Sequence, residues 1–345
     1  MIVNKYLKQP VKLLFAEHPY AKDWLEQISC TIDPDDTLYD VVFKQKESFY
    51  VSQNMNASML IRQFDDYLAV MTNMLEQSKQ LVQTVTLLPG RNKIGEPEEF
   101  EPLVFYPGEI IAIVGATGSG KSRLLEDIEC GAHGNTPTGR KILINGEPLN
   151  NGQKKRARQR IVAQLSQNMN FVIDLTVREF LSMHARCWPS ADIGGKIERI
   201  LELANSLAGE KFSMESNVAQ LSGGQSRALM IADCALLSYT PIVLIDEIEN
   251  AGINRRKALE LLTGEDKIVF LTTHDPLLAL LAQTRLVIRN GGVYRVILRT
   301  KREEETLRNL EVLDNQLIEV RAKMRAGEML EDYGMQSADF EPIIM

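Results

Sequence analysis

The sequence predicts an α/β protein with a parallel-sheet core, a small α+β module ahead of it and a helix behind it. Three observations predict this. Ile110–Val114, Ile242–Ile245 and Ile268–Thr272 are short, unbroken apolar runs, the pattern of strands buried on both faces. Helical stretches separate them, and strands alternating with helices give a parallel sheet with crossovers. The pattern changes at Phe105, so residues 1–95 read as a separate module.

Within that module Val11–Phe15, Tyr39–Phe43 and Phe49–Ser52 are expected as short strands. A long helix is expected from Ala57 to Val85. Its Leu60, Phe64, Tyr67, Leu68, Met71 and Leu75 recur at three- and four-residue steps, an apolar stripe expected to pack on the protein's own core, with a partner-binding groove as the alternative. Pro89-Gly90 breaks the helix, and the polar, acidic stretch Arg91–Pro102 reads as a linker. The main domain is assigned to 96–300. Ile110–Val114 opens it, a glycine loop and a helix follow, and Lys141–Ile144 is a further strand ending in an Asn145-Gly146 turn. The tail, 301–345, is charged and helical over Lys301–Arg325. There Leu310, Leu313, Leu317, Val320 and Met324 step by three and four, a seam that docks on its own domain or meets a second chain.

Composition narrows the function. The 345 residues carry a net charge of −7, with a pI near 5.4, which argues against nucleic acid as a direct partner. The run Lys154, Lys155, Arg156, Arg158 and Arg160 therefore reads as a solvated face. No apolar run approaches the ~18 residues a membrane helix needs, so any membrane association goes through a partner. Met1-Ile2-Val3-Asn4-Lys5 lacks the layout of a signal peptide. Cys30, Cys130, Cys187 and Cys234 are widely spaced, which fits free thiols in a reducing cytoplasm better than a zinc site or disulfides.

The chemistry concentrates in a few short segments. Gly115-Ala116-Thr117-Gly118-Ser119-Gly120-Lys121-Ser122 follows an apolar strand and opens a helix, the setting of a phosphate-binding loop. Glycines let backbone N–H groups close around phosphate oxygens, and the helix start adds partial positive charge. Lys121 is expected at the β- and γ-phosphates, and the Ser122 hydroxyl on Mg²⁺. Asp246 ends a buried strand, so its carboxylate emerges where ligands bind in open α/β sheets; it is a second magnesium residue. Glu247 follows it and can polarise an attacking water. His274, after Thr272-Thr273, can contact the γ-phosphate and help position that water. Gln167, in Leu165-Ser166-Gln167-Asn168, offers an amide for metal and water. Gln164 competes for the role, and the spacing to Leu175-Thr176-Val177 favours Gln167.

With Leu221-Ser222-Gly223-Gly224-Gln225 between the loop and the Asp246-Glu247 pair, these motifs resemble the ATP-binding cassette (ABC) ATPase family over about residues 100–298. Fifty-four positions lie from Gln167 to Leu221, room for a helical subdomain at about 168–220. The resemblance implies a P-loop NTPase cassette, ATP and Mg²⁺ as ligands, and ATP hydrolysis. Residues 115–122 with Arg123 would bind nucleotide. It also implies a head-to-tail pair of cassettes, a homodimer or a heterodimer, in which Ser222, Gly223, Gly224 and Gln225 of one subunit face the γ-phosphate held by the other. A serine hydroxyl and glycine N–H groups at a helix start suit an anion.

The sequence departs from the family in places. Ile248-Glu249-Asn250-Ala251-Gly252-Ile253-Asn254 keeps the alanine of the family's serine-alanine-leucine-aspartate stretch and lacks its aspartate. Arg123 stands where threonine is usual. No aromatic residue is assigned to adenine. These departures and the extra N-terminal module favour a soluble cassette that remodels or activates a client protein. The alternative is the ATP-binding subunit of a membrane transporter, with a permease as partner.

Overall fold

The structure, a computed structural model, describes residues 3–18, 20–52, 54–79, 82–148, 161–166, 171–185, 193–238, 240–248 and 253–330. Gln167, Cys187, the basic run at 154–160 and residues 249–252 lie outside the described residues.

The first unit is helical. Val11–Glu17, Leu38–Phe43 and Glu47–Ser52, where strands are expected from sequence, are helices. Burial at i and i+3 explains the first two: Val11 with Leu14, and Leu38 with Val41, turn one face inward while Leu13 and Tyr39 remain exposed. Thr37 accepts from the Asp40 N–H and Asp40 accepts from the Thr37 N–H, a reciprocal cap that starts Leu38–Phe43 as a helix. The long helix, Ala57–Lys79, buries Leu60, Phe64, Leu68 and Met71 against Tyr6, Leu14 and Leu25, so its stripe serves the unit's own core.

The expected end of that helix is instead a strand. Val85–Leu88 (β1) pairs antiparallel with Leu103–Phe105 (β2) and with Lys141–Ile144 (β4), which Glu147–Pro148 (β5) extends. The stretch expected as a linker is exposed over residues 93–97 but anchored by one buried residue: Glu98 accepts from the Gly90 N–H at 2.8 Å.

The central sheet has the order β10-β9-β3-β8-β7-β6. Its parallel strands are Ile110–Val114 (β3), Val162–Leu165 (β6), Ile242–Asp246 (β7), Ile268–Thr272 (β8) and Thr284–Arg289 (β9), and antiparallel Gly292–Leu298 (β10) makes it mixed. Alternation along the strands feeds two cores. Ile111, Ile113, Leu244 and Phe270 meet the helix Lys121–Glu129 and β1; Ala112, Val243, Ile245 and Leu271 meet the helices Ile193–Leu207, Gly223–Leu236 and Arg255–Gly264. The register sets Ile113 and Asp246 both opposite Thr272, and Leu165 opposite Ile245. Four chain segments thus leave the sheet at one edge.

Two helices beside the sheet, Val177–Ala185 and Gly223–Leu236, are joined by a titratable pair. His184, on the helix Val177–Ala185, contacts the Asp233 carboxylate of Gly223–Leu236 at 2.7 Å. Its hydrogen bond to Asp233 raises the His184 pKa above the ordinary 6.5, against the opposing effect of burial. A raised folded-state pKa gives stability that is whole below 6.5 and is lost as pH rises through the folded value. The urea midpoint is therefore expected to fall from about pH 6 to about pH 9, and His184→Gln to flatten that slope. An unchanged slope in the variant would remove His184 from the account.

The tail helix, Lys301–Arg325, docks through its first half. Leu307 is buried and Leu310 packs beside it against the second core, whereas Leu317 and Met324 are exposed.

Candidate functional site

The phosphate loop closes tightly because its glycines leave space that side chains would fill. Gly120 has φ +108°, and a Cβ there would lie 2.7 Å from the Gly291 Cα. Gly291 in turn donates its N–H to the Ser119 carbonyl at 2.7 Å, so the β9–β10 turn braces the loop from behind. Gly120 is the N-cap of Lys121–Glu129 and offers no side chain to the first-turn N–H groups, which a phosphate can then take. Ser122 and Arg123 are exposed at that helix start, and Arg123 pairs with Glu126 at 2.8 Å. Lys121 is only 8% exposed, and its ammonium is held by three partners. It lies on the Gly115 carbonyl at 2.8 Å, the Ala116 carbonyl at 3.3 Å and His274 Nε2 at 3.0 Å. Ala116, Thr117 and Gly118 form the exposed tip of the loop.

The acidic pair stands beside it. Thr272 Oγ1 donates to Asp246 Oδ1 at 2.5 Å, leaving that carboxylate's other oxygen for a further ligand. Glu247 has φ +50°, the left-handed region, and its N–H bonds the Thr272 carbonyl at 3.3 Å. That turn swings its side chain away from the strand's line, and Glu247 Oε1 lies 4.0 Å from His274 Nε2. The site therefore gathers one cation, one imidazole and two carboxylates on loops leaving three adjacent strands.

The donor set fits ATP with magnesium. The hydroxyl of Ser122 and the carboxylate of Asp246 are hard oxygen donors of the kind Mg²⁺ takes, with phosphate oxygens and water completing its shell. Among the described residues no group of three or more His, Cys, Asp or Glu could hold a metal ion.

Ser222 and Gln225 stand apart at the start of Gly223–Leu236. They cap one another, Ser222 N–H to Gln225 Oε1 at 2.9 Å and Gln225 N–H to Ser222 Oγ at 3.3 Å. Ser222 and Gly223 are exposed, and nothing lies within 4 Å of a Cβ built on Gly223. This helix end faces outward.

Behind the loop is a buried cluster that the sequence did not announce. Arg140 is fully buried. Its guanidinium meets Glu98 at 2.6 Å, Asp127 at 3.0 Å and the Gly291 carbonyl at 2.9 Å. Glu98 also accepts from the Val293 N–H, and Asp127 from Thr138 Oγ1. One arginine thus joins the phosphate-loop helix, the β9–β10 turn that braces the loop, and the 90–98 turn. Nothing in the sequence pattern before Lys141–Ile144 marks Arg140 as buried.

The fold and the site define a nucleotide-hydrolysing cassette, and comparison with known proteins gives its family. Residues 102–250 match the ABC transporter family model. An uncharacterised ABC transporter ATP-binding protein of Methanocaldococcus jannaschii is 47% identical over 251 residues, 72% of this chain and 95% of that protein. The macrolide export ATP-binding/permease protein MacB of Campylobacter jejuni is 29% identical over 208 residues, 57% of this chain and 31% of that protein. The structure of cbiO1 from Clostridium perfringens, described as part of the ABC transporter complex cbiONQ, aligns with a TM-score of 0.50 at 20% identity. The match covers 72% of this chain and 99% of cbiO1, and it shows the fold. The chain belongs to the ABC family of ATP-binding proteins. It is an ATPase, converting ATP and water to ADP and phosphate.

Proposed function

We propose that this chain is the ATP-hydrolysing subunit of an ABC transporter, acting as a head-to-tail pair of cassettes on a membrane-spanning partner. The observation that carries this reading is the 47% identity to a protein named as an ABC transporter ATP-binding protein, over nearly all of that protein's length. Among the described residues no helix is long and apolar enough to cross a membrane, and this reading assigns the membrane-spanning part to a partner.

In this reading the 115–122 backbone, with Arg123 at its edge, cradles the phosphates. Lys121 exchanges its contacts with the Gly115 and Ala116 carbonyls for the β- and γ-phosphate oxygens. Ser122, Asp246 and Gln167 would hold Mg²⁺, which would supply positive charge to offset that of the phosphates. Glu247 accepts a hydrogen bond from the attacking water, and His274, held at 3.0 Å from Lys121, sits at the γ-phosphate. Ser222, Gly223, Gly224 and Gln225 of the second cassette close the site. Closure on ATP and reopening after hydrolysis supply the mechanical stroke.

A client-remodelling role off the membrane, which the sequence alone favours, keeps one supporting observation: the helical unit at 3–79 has its own apolar core and precedes the region matched by the family model. Capture with tagged Glu247→Gln in ATP and Mg²⁺, from detergent-solubilised membranes and from the soluble fraction, separates the two. A multi-spanning protein retained in an ATP-dependent way supports the transporter. Only a soluble client, retained in the same way, would replace it with the remodelling role.

A further inference from the structure

The segments leaving Glu247 and His274 meet at one guanidinium. Arg255 opens the helix Arg255–Gly264, just after the 249–252 segment that follows the acidic pair. It pairs with Asp275, the residue after His274, and with Asp314 of the tail helix at 3.2 Å. Their side chains are only 18%, 17% and 26% exposed, so the contact is shielded from water more than a surface pair would be. The other Asp275 oxygen, Oδ1, caps Pro276–Leu281 by accepting from the Leu277 N–H at 2.8 Å. Asp275 also donates its own N–H to Thr273 Oγ1 at 2.9 Å, and the Thr273 N–H reaches the Ile113 carbonyl in β3. The backbone on both sides of His274 is therefore tied down, and its side chain, 43% exposed, reaches Lys121 from it at 3.0 Å. The position of the ring follows the position of that backbone.

We propose that Arg255 and Asp314 are positioning residues for ATP hydrolysis. Asp314 holds the guanidinium on Asp275, and this fixes the loop that places His274 beside Lys121 and Glu247. The proposal rests on His274 acting at the γ-phosphate, as in the reading above. One cation between two carboxylates is held from both sides. With Asp314 neutral, the two-armed guanidinium can pivot about Asp275, and the loop after His274 loses its outer stop.

The tail helix has a second tie that does not touch Arg255: Glu311 pairs with Arg256 at 2.6 Å, beside the apolar docking of Leu307 and Leu310. That pair is the control for mere helix docking. Steady-state hydrolysis by the full chain is expected to show kcat lowered about tenfold in Asp314→Asn, with KM for ATP within about twofold of the parent. Asp314→Glu is expected to recover most of kcat, and Glu311→Gln to leave it unchanged, with thermal melting followed for each. Parent-level kcat in Asp314→Asn would overturn the proposal, as would an equal loss in Glu311→Gln. If Asp314→Asn fails to fold, Arg255→Lys, which keeps the charge and loses the fork, is judged by the same kcat criterion. His274→Ala separates the two levels. Full turnover there sinks the reading of His274 and this proposal with it, whereas a slow His274→Ala beside a normal Asp314→Asn sinks the positioning role alone.

Discussion

Glu247→Gln is expected to bind ATP as the parent does and to lose hydrolysis by about 10²- to 10⁴-fold, the range that a positioned general base contributes. The substitution keeps the side chain's size and its place after Asp246. It removes the negative charge that draws a proton from the water. The left-handed turn at Glu247 is held by its N–H to Thr272, a backbone contact that glutamine retains, so the geometry survives the exchange. Calorimetric titration with ATP and a phosphate-release assay separate the two properties. Hydrolysis at the parent rate would remove Glu247 from its proposed role. Lost binding with slow hydrolysis would assign it to holding nucleotide instead.

Arg140→Met is expected to cost about 3–5 kcal/mol of folding stability, the range for breaking a buried ion pair from one side. Glu98 and Asp127 are each 1% exposed at the side chain and would be left as two carboxylates without their cation. Since domains are stable by only ~5–15 kcal/mol, the variant loses a large share of its margin. The triple change Arg140→Met, Glu98→Gln, Asp127→Asn should recover part of it, because the stranded charges are gone. The urea midpoint of each variant measures this. A midpoint equal to the parent's in Arg140→Met would show that the cluster is open to water. Loss of nucleotide binding would accompany the instability, because the same guanidinium holds the Gly291 carbonyl and Gly291 braces Ser119.

Much of the site is legible in the chain because its motifs are local. A glycine loop between an apolar strand and a helix, an acidic pair at a strand end and a histidine after another strand each lie within a few residues. Once parallel strands are inferred, their ends fall at one edge. The N-terminal unit was less legible. Val11–Phe15 and Tyr39–Phe43 are apolar enough for strands, and helix or strand is decided by which neighbours bury which side. A signal was available at one of them, the Thr37 and Asp40 spacing of a reciprocal helix cap.

By itself, then, the sequence determined the α/β class with its parallel core strands and the loop at 115–122, and it pointed to Asp246, Glu247 and His274 as candidates, because each rests on residue type at short spacing. The tertiary structure alone decided that residues 3–79 form a helical unit, that Val85–Leu88 is a strand paired with β2 and β4, and that Glu98 is buried. It also decided that Arg140 gathers Glu98 and Asp127, and that Arg255 stands between Asp275 and Asp314. The physical reason is separation. These partners lie from 13 to 59 positions apart, and no local preference specifies which charge meets which until the chain has packed.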